Sequence, residues 1–327
     1  MNADGYIKSR AEIIEKAIYA EIPAEPREVY GMLGEFISRG GKRIRPVLTL
    51  ASCSACGGRE EDALPFAVAI ELFHNFTLIH DDIEDASPMR RGKPTIHMEY
   101  GIPIAINSGD ALYSIVWSSL VRKVEAQRLK GGGMIMTRAF RRVAEGQGVE
   151  LNWYIGNRFD VSEGEYLAMA GGKTAALIGA SCELGAYSAG ATKEELAAMR
   201  EFGEKIGLAF QIKDDVLNLT ADPTKYRKKI GEDIDEGKRS LITIHLIANA
   251  PGDVRKKVAG ILGKKKKGAK DIEEAIGLAK EYGSIKYASD YAERLVREAK
   301  ASLRALKRAE GRDLMDSLAN YIVEREK

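Results

Sequence analysis

Apolar residues recur three and four positions apart along nearly the whole chain. "AEIIEKAIYAEI", "FAVAIELFHNFTLIHDDI", "EELAAMREFGEKIGLAFQIKDDVL" and "DYAERLVREAKASLRAL" all carry this spacing, which puts the apolar set on one face of a 3.6-residue period. Short alternating runs closed by turn dipeptides, the mark of strands, are scarce. The pattern predicts an all-α fold. Breaks fall at Gly and Pro, as in "SRGGKRIRP" (38–46), "SPMRRGKP" (87–94), "KGGG" (130–133), "AGG" (170–172) and "ADPTKYRKKIGEDIDEGKRS" (221–240). None of them has the length or Ser/Gly content of a flexible linker, so one domain covering 1–327 is expected.

Composition narrows the class. The 327 residues are 45% hydrophobic and 30% charged, which fits a packed globule. With 50 basic and 48 acidic residues the net charge is only +2. That balance argues against a nucleic-acid binder, which carries a regional excess of bases. No run of 18 uncharged apolar residues occurs, so no membrane-spanning helix is expected. The first 23 residues have charges throughout, unlike a secretory leader. Three cysteines, with Cys53 and Cys56 in a lone CxxC, suit a reducing, cytoplasmic setting. A zinc site would need further ligands at suitable spacing, so small packed side chains are the plainer reading of that pair.

Candidate chemistry begins with "LIHDDIEDASPMRRGKPTIH" (78–97). With each helical residue turning by about 100°, Asp85 lies about 40° and Asp82 about 100° from Asp81, while Glu84 falls about 60° to the other side of it. His74, seven residues earlier, comes within about 20° of Asp81. A second cluster, "FQIKDDVLN" (210–218), repeats the first two aspartates as Asp214 and Asp215, with Asn218 third and Gln211 on the same arc. Acidic helix faces are commonly solvated, but apolar residues flank both clusters. Buried like charges need neutralising, and oxygen ligands at this density suit a hard cation such as Mg²⁺. If the two helices face each other, up to five carboxylates and two amides converge. Bases accompany both clusters: Lys42, Arg43 and Arg45 after Gly40-Gly41, then Arg90-Arg91, Lys173, Lys228-Lys229 and Lys238-Arg239. Glycines followed by Lys and Arg make a receptor for a diphosphate. A solvated salt-bridge network is the competing account of these bases.

In that order "GGKRIRP", "HNFTLIHDDIEDASPMRRGKPTIH", "AGGKTAALIGAS", "FQIKDDVLNL" and "KKIGEDIDEGKRSLITI" resemble the polyprenyl synthetase family, the trans-isoprenyl diphosphate synthases, over about residues 30–245. The likeness is strongest to short-chain geranylgeranyl and farnesyl diphosphate synthases of archaeal type. It implies a bundle of ten or more helices around a deep central cavity, a homodimer, and Mg²⁺-dependent head-to-tail condensation of isopentenyl diphosphate with an allylic diphosphate. It also implies residue roles. Asp81, Asp82, Asp85, Asp214 and Asp215 would hold Mg²⁺; Asn218 departs from the aspartate common at its position. Lys42, Arg45, His74 and Arg91 would bind isopentenyl diphosphate. Arg90, Lys173, Thr174, Gln211, Lys228 and Lys238 would line the allylic diphosphate, with a one-residue slip exchanging Lys228 for Lys229. Phe73, Phe76 and Thr77, upstream of the first aspartates, would set product length, and a large residue above a small one resembles enzymes that stop at C20, with C15 the alternative. The helical wheel, by contrast, puts Phe76 opposite the aspartate arc. His80, His97 and His245 are read as structural, and "IAINSGDALYSIVWSSLV" as the interface candidate. A class I terpene cyclase spaces its second metal motif differently from "DDVLNLTAD". A non-catalytic partner subunit would tend to lack one of the two aspartate motifs.

Overall fold

The computed structural model describes residues 3–221 and 230–323. As the periodicity predicts, it is built of helices: α1 (Ala3–Tyr19), α2 (Arg27–Ser38), α3 (Ile44–Ala55), α4 (Glu60–Glu84), α5 (Ile96–Tyr100), α6 (Ile102–Lys123), α7 (Ala126–Ile155) and α8 (Glu163–Ala170), followed by a π-helical turn, Gly171–Ala175. The chain continues through α9 (Ala176–Ser188), α10 (Lys193–Thr220), α11 (Glu232–Glu236), α12 (Leu241–Asn249), α13 (Gly252–Leu262), α14 (Ala269–Glu281), α15 (Ser284–Ser302) and α16 (Ala309–Val323). Among the described residues the one extended feature is a hairpin of β1 (Met89–Arg90) on β2 (Lys93–Pro94). Arg91 and Gly92 at its tip both have positive φ, 54° and 75°, the backbone of a two-residue primed turn. Four residues of strand are too few to leave an alternating signature.

Contacts divide the chain into two compact units, each drawn from separate segments. One comprises Met1–Thr137, Ala180–Met199 and Ala305–Ser317; the other comprises Arg138–Gly179, Arg200–Arg304 and Leu318–Lys327. In the first, α4 packs on α3 and α6. Three acids occupy its first turn, where they complement the helix dipole. The helix is then buried on all sides from Phe66 to Phe73. By length and composition alone α4 would suffice to cross a membrane, but most of its apolar stretch is buried inside the protein; it is a core helix. In the second unit α12 packs against α8, α13, α14 and α15. Ser162 and Glu165 close a reciprocal capping box at the start of α8, fixing where that helix begins.

Helix α9 meets α3 at Gly185. A β-carbon there would lie 2.1 Å from the Thr49 carbonyl oxygen and 2.9 Å from the Cys53 amide nitrogen. Gly185→Ala is therefore expected to destabilise the protein by about 1–3 kcal/mol, because backbone must shift to admit the methyl. Gly277, inside α14, has nothing within 4 Å of the same position, and Gly277→Ala should stabilise by about 0.5–1 kcal/mol. Thermal melts of the two variants moving in opposite directions would bear this out; a Gly185→Ala melt at or above wild type would contradict it.

Candidate active site

In the first unit the acidic stretch ends α4. Asp81 and Asp82 lie in its last turns and Asp85 is its C-cap, its amide still bonded to the Asp81 carbonyl at 2.8 Å, so the wheel geometry holds through Asp85. Asp82 is buried. Its Oδ1 accepts from Arg90 Nε at 2.7 Å, while its Oδ2 is buried with no hydrogen-bond partner among the described residues. Burial pushes the Asp82 carboxyl upward, against the pull of Arg90. The first turn of α3 carries Arg45, whose Nη1 lies 3.2 Å from His74 Nε2 on α4. Burial, then the charges of Arg45, Arg91, Arg90 and Arg43, hold His74 well below the ordinary histidine value; it stands neutral among guanidinium groups. Lys42 is exposed on the loop before α3, and Arg91 is exposed at the hairpin tip.

Upstream of the aspartates Phe73 is buried and Phe76 half-buried. Their rings are 5.4 Å apart. Phe76 also meets Tyr113 of α6 at 5.3 Å and His80 at 4.7 Å, and Tyr113 leads on to Trp117 at 6.4 Å. Phe73 and Phe76 thus share one aromatic ladder between α4 and α6, although the wheel separates Phe76 from the aspartates. The Thr77 hydroxyl donates to the His74 carbonyl at 2.8 Å. His97 lies beside Thr95, and His245 contacts Ser284 and stacks on Tyr287; both are structural contacts. The thiols of Cys53, Cys56 and Cys182 are pushed by burial to about 12, which leaves them unreactive at neutral pH.

In the second unit a pocket is lined by Glu150, Tyr166, Lys173, Thr174, Gln211, Asp215 and Lys238. Lys173 and Thr174 stand on the π-helical turn, where one extra residue widens the helix. Lys173 Nζ bonds the buried carboxylate of Glu150. Thr174 Oγ1 donates to Gln211 Oε1 at 3.0 Å, and Gln211 Nε2 donates to Asp215 Oδ1 at 3.0 Å. Tyr166 Oη donates to the other oxygen, Oδ2, also at 3.0 Å. Both oxygens of Asp215 are thus engaged by neutral donors. Burial pushes its carboxyl up to about 7, while Lys238 pulls it down. Lys238 Nζ donates to Asp233 Oδ1 at 2.8 Å. Burial works against the charge of Lys238, but Asp233 and Asp215 outweigh it and hold the group well above the ordinary lysine value. Arg239 is clamped beside it by three carbonyls, of Arg158, Gly237 and Trp153, at 2.8, 2.7 and 3.1 Å. Asn218 Oδ1 accepts the Asp233 amide at 3.1 Å, which gives that position a backbone to cap. Lys228, with Lys229 beside it, lies outside the described residues.

Two residues of this pocket escape the sequence reading. Glu150 follows Val143 and Gly146 and precedes Trp153 on the buried face of α7; an acid at an otherwise buried helical spacing was the available signal. Tyr166 gives no such signal, since a tyrosine in the core is ordinary. The ready-made carboxylate cage is not seen either: among the described residues no three Asp, Glu, His or Cys side chains gather closely enough to hold a metal. Adjacent carboxylates repel and turn toward bases, as Asp82 does toward Arg90. The donors are nonetheless hard oxygens, and Asp82 keeps one buried oxygen unmatched. Such a set fits a cation that retains waters and shares its coordination with phosphate.

Comparison with known proteins agrees with this chemistry. The family model for polyprenyl synthetase matches residues 26–279. A short chain isoprenyl diphosphate synthase of Methanothermobacter thermautotrophicus is 39% identical over 89% of this chain and 88% of its own. The crystal structure of geranylgeranyl pyrophosphate synthetase from Pyrococcus horikoshii superposes with a TM-score of 0.93 at 38% identity, covering 99% of this chain and 98% of that one. A polyprenyl synthase from Caulobacter crescentus, complexed with calcium and isoprenyl diphosphate, superposes with a TM-score of 0.89 at 28% identity, covering 99% and 98%. The chain belongs to the polyprenyl synthetase family and is a prenyltransferase.

Proposed function

We propose that this prenyltransferase joins isopentenyl diphosphate to an allylic diphosphate with Mg²⁺ and releases geranylgeranyl diphosphate, the C20 product. The observation that carries the reading is the pairing, in each unit, of an acidic cluster with directed bases: Asp82 with Arg90, and Asp233 and Asp215 with Lys238. A phosphorylated substrate bound through a divalent cation needs both kinds of group. Asp81, Asp82 and Asp85, with Asp214, are the carboxylates for the metal. Asp215 joins them: it accepts one hydrogen bond on each oxygen, from Tyr166 and Gln211, and keeps lone pairs for a metal, while it also orients Gln211 and supports Lys238.

The metal, when bound, supplies Lewis-acid neutralisation of the charge on the departing diphosphate. The chain supplies the rest. Arg90, Lys173 and Lys238 offer fixed positive charge to the leaving group as the allylic C–O bond breaks, and preorganised charge is worth most at that moment. Lys42, Arg45, His74 and Arg91 hold isopentenyl diphosphate so that its double bond meets the cation. Thr174 and Gln211 turn their oxygens along the pocket wall. Water, which would quench the cation, has to be kept from the reacting carbon. No side-chain base is needed for the final proton, which the released diphosphate accepts.

Product length follows from the aromatic ladder. Phe73, Phe76 and Tyr113 are bulky, while Thr77 is small. The Pyrococcus structure named for geranylgeranyl pyrophosphate supports C20; relatives named for geranylgeranyl and geranylfarnesyl diphosphate show that neighbouring lengths occur among similar chains. Exposed Ile102, Ile106, Tyr113 and Val121 on α6 support a homodimer packed on that face.

Four outcomes are expected. Asp81→Ala and Asp214→Ala should each lower kcat by about two to three orders of magnitude with Mg²⁺ present, and Lys42→Ala should raise KM for isopentenyl diphosphate about tenfold, or about 1.4 kcal/mol. Steady-state assays giving wild-type rates in either aspartate variant refute the metal assignment. Phe76→Ala should lengthen the product beyond C20 on reversed-phase chromatography; an unchanged product removes Phe76 from the pocket floor. Ile106→Glu should shift the sedimentation coefficient from dimer to monomer, and a wild-type species already sedimenting as monomer would end the dimer proposal.

A further inference from the structure

The loop that presents Lys42 is bent against backbone preference. Gly40 and Gly41 have φ of 80° and 150°, and Arg43, which carries a β-carbon, has φ of 49°. A left-handed L-residue persists only where its surroundings hold it. What holds Arg43 is its own side chain, which is entirely buried. Nη1 donates to Glu71 Oε1 of α4 at 2.8 Å, Nη2 to the Ile37 carbonyl of α2 at 3.0 Å, and Nε to Glu15 Oε1 of α1 at 3.3 Å. Glu71 is itself buried, and Asn75 Nδ2 donates both to its carbonyl at 2.7 Å and to Oε1 at 3.3 Å.

The bend aims the neighbours. Lys42 leaves the loop on the exposed side, and Arg45 starts α3 against His74. A β-carbon on Gly41 would lie 3.1 Å from Arg91 Nη2, so the Arg91 guanidinium rests on the bare glycine. All four groups read as the isopentenyl diphosphate receptor are therefore arranged about one loop whose shape Arg43 sets. The receptor is a gathering of like charge, and Glu71 is the buried carboxylate bonded to Arg43, the base that lies beneath it.

We propose that the Arg43–Glu71 pair is a positioning device for isopentenyl diphosphate: Glu71 fixes Arg43, and Arg43 fixes the left-handed bend that aims Lys42 and Arg45 and seats Arg91. The inference rests on the reading of those residues as the isopentenyl diphosphate site. Neither Arg43 nor Glu71 touches substrate. Their effect is on recognition of one substrate, since the allylic diphosphate is read by other bases.

The test is steady-state kinetics on the full chain, each substrate varied in turn, with melting temperature measured alongside. Glu71→Gln keeps the shape and removes the charge. Arg43→Lys keeps the charge, but one amine cannot reach Glu71 and the Ile37 carbonyl together. Both variants should raise KM for isopentenyl diphosphate about tenfold or more while KM for the allylic substrate and kcat stay within about twofold. Arg43→Met combined with Glu71→Leu replaces the pair by apolar groups of similar size. It should recover the melting temperature and keep the raised KM, and it covers the case in which Glu71→Gln does not fold. A lowered melting temperature with both KM values unchanged, an equal rise in both, or a wild-type KM in the apolar double variant would overturn the proposal. Lys42→Ala separates the two layers. If it leaves KM for isopentenyl diphosphate unchanged, the receptor assignment fails. If it raises that KM and Glu71→Gln does not, the role of the pair alone fails.

Discussion

Charge held away from water must be matched group by group, and the rest of this structure follows from that requirement. Both aspartate motifs lie toward the C-terminal ends of their helices, Asp81–Asp85 closing α4 and Asp214–Asp215 in the last two turns of α10. The helix dipole is negative there and adds to the repulsion. Bases answer it locally: Arg90 at Asp82, Lys238 at Asp233 and beside Asp215. The bases in turn need acids, so Glu71 meets Arg43 and Glu150 meets Lys173. Each partner fixes the direction of the other before any substrate arrives. That is the condition under which electrostatic stabilisation of a leaving group is effective.

The two acidic motifs share letters and differ in physics. Asp82 keeps a buried oxygen unmatched among the described residues, whereas Asp215 has both oxygens bonded to neutral donors. In the second, Tyr166 and Gln211 fix the direction of the Asp215 carboxylate. In the same motif the amide oxygen of Asn218 caps the turn that carries Asp233.

Much of this was legible in the sequence because it depends on short-range periodicity. The helices follow from apolar spacing, and placing Asp81, Asp82, Asp85 and His74 on one side of α4 needs only the turn per residue. Gln211 and Asp215 are likewise one turn apart and bond directly. What escaped depends on long-range pairing. Glu150 and Lys173 come from different helices, and Tyr166 reaches Asp215 from α8. Phe76 is instructive, because the wheel sends it away from the aspartates while α6 meets it there with Tyr113. The hairpin at Met89–Pro94 escaped because its shape rests on two positive-φ residues, Arg91 and Gly92, and not on alternation.

The π-helical turn at Gly171–Ala175 behaves as a stored insertion. A regular α-helix running from α8 into α9 would be one residue shorter for the same length of axis. Excising a single residue from this swelling would leave an unbroken rod with α8 and α9 close to their present register, and would redirect only the side chains of the swelling itself. The lysine and threonine would no longer share a wall with Glu150 and Gln211. In length-counting terms, within these five positions the number of residues is itself what brings Lys173 to Glu150 and Thr174 to Gln211.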